Sequence, residues 1–148
     1  MTIKKITCCV DFSEHSETAF MTAIEMAKKF EAKLYLVHVL PPVVNPVLVD
    51  SELGLPPEEP DKSLIIKIEE KLQEIYGAKI GEGIDAELIV LDGHVSTEIL
   101  NFLEEKDIDL AILGAYGASG MGLVIFGSVA KRVAHRAPCS VMIVRDRR

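Results

Sequence analysis

Five short apolar runs, separated by stretches whose apolar residues return every three or four positions, constrain this chain more than any other feature. The runs are Ile6 to Phe12 (ITCCVDF), Lys33 to Leu40 (KLYLVHVL), Ala86 to Leu91, Asp109 to Ala115 and Ser140 to Arg145. Several are apolar almost without interruption, whereas a strand with one wet face would alternate. Near-continuous runs suit strands covered on both faces, as in a parallel sheet. Between them, Ser13 to Phe30 places Ala19, Phe20, Ala23, Ile24, Ala27 and Phe30 on one helical stripe, with Ser13 or Ser16 able to cap its start. Pro60 to Ile80 does the same with Leu64, Ile65, Ile68, Leu72 and Ile75, and Val95 to Glu105 with Val95, Ile99, Phe102 and Leu103. Ser128 to Arg136 turns Val129, Ala130, Val133 and Ala134 inward and Lys131, Arg132, His135 and Arg136 outward. The order β-α-β-α-β-α-β-α-β with right-handed crossovers predicts an α/β fold: an open, doubly wound, Rossmann-like sheet with helices on both faces.

The chain has 148 residues and 49% hydrophobic content, which suits one domain spanning residues 1–148. With no Trp and few aromatics, the core must come from Ile, Leu, Val, Ala and Met. A net charge of −7 argues against nucleic-acid or anionic-membrane partners. Charge is uneven, however: from Lys131 onward six Lys or Arg face the single Asp146. Cys8, Cys9 and Cys139 have no metal-ligand spacing and read as small buried hydrophobes in a reducing cytoplasm. The first apolar run stops at Asp11, too short for a signal peptide, and no run approaches a membrane span.

Pro41 to Pro60 breaks the pattern. It holds six of the seven prolines together with Val43, Val44, Val47, Leu48, Val49, Leu53 and Leu55. Such a segment is too apolar for a solvated linker, and three readings stay open: a lid, a packed connection, or a loop ordered by a partner subunit.

Half of the ten glycines crowd between Leu113 and Val133: Gly114, Gly117, Gly120, Gly122 and Gly127. They leave the fourth strand at the sheet end where open α/β proteins bind ligands and run into the last helix. The dinucleotide fingerprint fails, because the first strand is followed by VDFSEHS without glycine; the P-loop fails, because Ser128 stands where lysine is required. What remains is Gly114-x-x-Gly117, nine residues, then Gly127-Ser128. Glycines let the backbone approach a ligand, and a helix start offers unpaired N–H groups to a phosphate. The alternative is a glycine-rich turn with no ligand.

The stretch GAYGASGMGLVIFGSVAKRVAHRAPCSVMIVR resembles the C-terminal signature of the universal stress protein family; VDFSEHSETAF, LVHV and GHVSTEILNFLEEKDIDLAILGAYG follow its pattern too. The resemblance implies a five-stranded parallel sheet of order 3-2-1-4-5 and a homodimer; the apolar last strand, Ser140 to Arg145, with no β-breaker, suits pairing with its twofold mate. The resemblance also implies binding of ATP, or of ADP or AMP, with Mg2+ or Mn2+ carried by the nucleotide near Asp11. The implied nucleotide neighbourhood is Asp11, Phe12, Val39, Leu113, Gly114, Tyr116, Gly117, Gly127, Ser128 and Val129. In it Asp11 meets ribose or metal, Val39 reads adenine, and Gly117, Gly127 and Ser128 seat the phosphates. Tyr116 and Ala118 stand where the family often carries His or a basic residue.

Other constellations are weaker. Asp11 and Asp92 lack the paired acids and the lysine of a phospho-receiver domain. Asp11, Ser13 and His15 are close in sequence, but no G-x-S-x-G elbow supports a nucleophilic serine. His38 reads as a satisfied core histidine, and His94 and His135 lack metal-spaced partners. The leading expectation is a regulatory, stress-responsive switch that binds an adenine nucleotide. The alternatives are a slow ATPase or phosphotransferase, and a nucleotide-free dimeric interaction module.

Overall fold

Consecutive strand side chains enter opposite layers, which is why the strand sequences lack polar interruptions. The computed structural model describes residues 1–42, 61–116 and 127–146. Strand β1 (Lys5–Cys9) leads into helix α1 (Glu14–Phe30) and strand β2 (Lys33–Leu40). Helix α2 (Lys62–Ile75), a 3-10 turn (Gly77–Lys79) and strand β3 (Ala86–Asp92) follow. Helix α3 (Val95–Glu105), strand β4 (Leu110–Gly114), helix α4 (Ser128–Arg136) and strand β5 (Ser140–Val144) complete the described elements. The strands form one sheet of order β3-β2-β1-β4-β5, every neighbouring pair parallel.

Ile6 pairs with Leu34 and Leu110, and Cys8 with Leu36 and Ile112. These side chains share one face, where Ala19, Phe20, Ala23, Ile24 and Ala27 of α1 and Leu72 of α2 cover them. On the opposite face Tyr35, Val37, Val39, Ala111 and Leu113 meet Ile99, Phe102 and Leu103 of α3 and Val133 of α4. Phe20, Leu103 and Val133 are fully buried, each contributing about 1.5–3 kcal/mol by leaving water.

The helix starts follow local chemistry. Ser13 caps α1 by accepting from the Ser16 N–H, and Asp61 caps α2 through the Ser63 N–H. The predicted helix over 60–80 ends at Ile75, and a 3-10 turn takes over. Three stripe residues are not covered as expected. Phe30 is 39% exposed, because Glu31 follows it in the left-handed conformation (φ 52°) and turns the chain away. Leu64 is 38% exposed near the start of α2, where only Leu72 is fully inserted. Ala134 is exposed, since Ala130 and Val133 already make the contact of the short α4.

Strand β1 stops at Cys9 rather than Phe12. Phe12 adopts φ 66°, a left-handed conformation incompatible with a strand. Of the three cysteines, all free, Cys8 is buried while Cys9 and Cys139 are only partly covered. Among the described residues no helix is long and apolar enough to cross a membrane. Gly117 and most of the proline-rich 41–60 segment, from residue 43 on, lie outside the described residues.

Candidate functional site

Where β1, β2 and β4 end, the strand order reverses and helices leave on opposite faces, opening a crevice. The turn after β1 is held by a reciprocal pair. The Asp11 N–H donates to Ser16 Oγ (2.7 Å), and Ser16 Oγ donates back to Asp11 Oδ1 (2.6 Å). The same Oδ1 accepts from the Ser13 N–H at 3.0 Å. Asp11 is therefore fixed as the turn's own brace while lining the crevice. Ser13 meets Asp11 through its backbone N–H while its hydroxyl caps α1, and His15 turns its ring to Asp146 (2.8 Å).

The glycine segment begins and ends at one place. The Gly127 N–H donates to the Ala115 carbonyl at 2.7 Å, returning the start of α4 to the end of β4. A Cβ on Gly114 would lie 2.9 Å from the His15 carbonyl oxygen, so only glycine lets α1 approach β4 this closely. Tyr116 packs edge-on against His15, centroids 5.2 Å apart. Gly127, the N-cap of α4, provides no side-chain cap, in contrast with Ser13 and Asp61. The first turn of α4 thus presents main-chain donors and the positive end of the helix dipole.

These features enclose a cavity of about 430 Å³, within the range of small-molecule sites. Asp11, Val39, Leu113, Gly114, Tyr116, Gly127, Ser128 and Val129 all line it. Phe12 does not. Its ring stacks on Tyr76 of the α2 side (5.8 Å) and against His38 (4.7 Å), with Lys71 Nζ 4.4 Å from its centroid.

Sequence reasoning missed Cys9, Val10, Ser16, Val37, His38, Pro41, Val95, Ile99 and Ala130 in the wall. Their available signal was position: most sit at or near strand ends or in a helix's first turn. His38 Nδ1 lies 2.8 Å from the Val10 carbonyl, an acceptor only, so Nδ1 carries the proton. Burial holds the His38 pKa below its ordinary 6.5 and the ring neutral. Burial, reinforced by Cys139, pushes the Cys9 thiol up to about 12, leaving that part of the wall unreactive. The described walls carry the Asp11 carboxylate but no Lys or Arg. Among the described residues no three His, Cys, Asp or Glu side chains gather in a way that could hold a metal ion.

A parallel 3-2-1-4-5 sheet with a crevice at its reversal point defines a Rossmann-like α/β protein with a cavity of small-molecule size. The family model described as "Universal stress protein family" matches residues 2–145, and the chain belongs to that family. The universal stress protein MJ0531 of Methanocaldococcus jannaschii is 34% identical over 146 residues, covering 96% of this chain and 82% of the relative. YxiE of Bacillus subtilis is 31% identical, covering 95% and 98%. Among solved structures, UspA from Lactobacillus plantarum superposes with a TM-score of 0.75 at 22% identity, covering 98% and 99%. The Archaeoglobus fulgidus universal stress protein in complex with dAMP gives 0.68 at 25%, covering 97% and 98%. A universal stress protein in complex with cAMP gives 0.68 at 21%, covering 98% and 98%.

Proposed function

We propose that this protein binds an adenine nucleotide in the cavity and acts as a nucleotide-dependent switch in stress responses. One observation carries the reading: the α4 N-terminus, without a side-chain cap, opens into the same cavity as Asp11 and Val39. Adenine fits against Val39 and the apolar wall of Val37, Leu113 and Ile99, and ribose lies beside Asp11. Phosphate meets the first-turn amides of α4 and the Ser128 hydroxyl. The relatives solved with dAMP and with cAMP support an adenylate as the ligand class. Any Mg2+ or Mn2+ would arrive on the phosphates, Asp11 being at most one of its ligands.

The edge strand β5 supports a homodimer through Ser140 to Arg145. Val141, Met142, Ile143 and Val144 remain only half-buried there. Light scattering then gives twice the chain mass, and a monomer mass removes the dimer from the reading.

Purified protein tests the ligand. Denaturing it and identifying the released small molecules should yield an adenine nucleotide, or stripped protein should bind AMP or ATP by calorimetry. Protein that carries none and binds none of AMP, ADP and ATP overturns the proposal.

A further inference from the structure

The cavity walls leave a charge problem that the neighbouring helix face solves. Among the described residues they offer a growing phosphate tail the Ser128 hydroxyl and backbone amides, but no cation. Just outside, an open cleft of about 570 Å³ is lined by Ser128, Lys131, Arg132, Ala134, His135 and Arg136 of α4. Ser128 lines both spaces, so cleft and cavity adjoin at the mouth of the helix. No acidic residue is among the described residues lining the cleft. The described ion pairs, His15–Asp146, Lys33–Glu87 and Lys79–Glu17, include none of Lys131, Arg132, His135 and Arg136.

The helix's own dipole favours one pair of these basic side chains but not the other. His135 and Arg136 lie in the last turn of α4, where the helix's negative end favours positive charge. Lys131 and Arg132, the fourth and fifth of its nine residues, lie outside that last turn and one turn from the amides that open into the cavity. Arg132 is also fixed in place. Its Nη1 donates to Ser96 Oγ at 3.0 Å, and Ser96 is 3% exposed and adjoins Val95 of the cavity wall. At 1.5 Å per residue, Lys131 and Arg132 stand about 5–6 Å along the helix from Ser128. That is the reach of the distal part of a polyphosphate whose first phosphate sits at Ser128.

We propose that Lys131 and Arg132 form a phosphate-counting site. It holds the distal phosphates of an adenine nucleotide whose base end occupies the cavity, and so makes affinity rise with phosphate number. The inference rests on the nucleotide reading of the cavity, and inorganic tripolyphosphate separates the two.

The test is calorimetry on the full chain with AMP, ADP, ATP and tripolyphosphate at fixed ionic strength. The expected result is affinity climbing from AMP to ATP by about tenfold or more. Lys131→Ala with Arg132→Ala flattens the climb and abolishes tripolyphosphate binding while leaving AMP affinity unchanged. Both side chains are exposed, and retained AMP binding certifies the fold. Lys131→Glu should weaken ATP further and again spare AMP. A flat series in the unmodified protein, or a climb that survives the double substitution, overturns the inference and leaves the cavity reading intact. Tripolyphosphate binding lost with the double substitution, without any AMP binding, upholds the anion site and overturns the adenine reading.

Discussion

At the scale of single residues, two buried polar groups set the terms. Thr7 on β1 is fully buried, and among the described residues its Oγ1 has no hydrogen-bond partner. An unsatisfied buried hydroxyl costs about 1–3 kcal/mol. Thr7→Val keeps the shape and removes the hydroxyl, so denaturant unfolding should show a gain of about 1 kcal/mol; a loss would mean that the hydroxyl has a partner. His38 titrates in the opposite sense to a stabilising pair. Because burial lowers its folded pKa, the folded state binds fewer protons than the unfolded one. Stability is then full above 6.5 and erodes as pH falls through that value towards the lower folded pKa. His38→Gln should flatten this part of the profile below 6.5. An unchanged slope would show that the imidazole takes up its proton equally readily in the folded and unfolded protein.

At the scale of elements, the turn from β1 into α1 is the most constrained. Phe12 sits at φ 66°, which costs a non-glycine residue about 1–2 kcal/mol. Tyr76, Lys71 and His38 around its ring hold it there. Phe12→Ala loses that packing and keeps the strain, so unfolding experiments should show a loss of about 2–3 kcal/mol. Phe12→Gly loses the same packing but relieves the strain and should be about 1 kcal/mol more stable than Phe12→Ala; equal values would dismiss the strain. The brace matters to the cavity because Asp11, one residue earlier, lines it. At the same carboxyl end of the sheet, Asp146 accepts from Thr18 Oγ1 and pairs with His15, pinning the chain after β5 onto α1. The Thr18 hydrogen bond foremost, with His15 assisting, holds the Asp146 carboxyl below the usual range.

How much of this was legible in the sequence depends on whether the determining contact is local. The apolar runs, the stripes of α1, α3 and α4 and the Ser13 cap follow from spacing alone, and the structure agrees on nearly all of their buried positions. The end of β1 did not follow, because Phe12 looks like a strand residue; its backbone is set by α2, some sixty residues away. The same holds for the wall residues Ser16, His38 and Val95, brought together only by sheet order. Glycine spacing located the cavity mouth through Gly114, Gly127 and Ser128. The contact of Arg132 with Ser96 crosses two helices and leaves no local mark.

At the scale of the whole molecule, an acidic chain places Lys131, Arg132 and Arg136 on one helix next to the cleft at the strand-order reversal. Adenylate seated in that cleft, with its phosphate on the first turn of α4, is the claim on which the rest depends. Amide chemical-shift mapping by nuclear magnetic resonance during an ATP titration tests it most directly. The account predicts large shifts at Asp11, Val39 and the Ser128, Val129 and Ala130 amides, with the α2 amides unmoved. Saturating ATP that leaves those five signals in place, or moves only signals remote from the cavity, would contradict it.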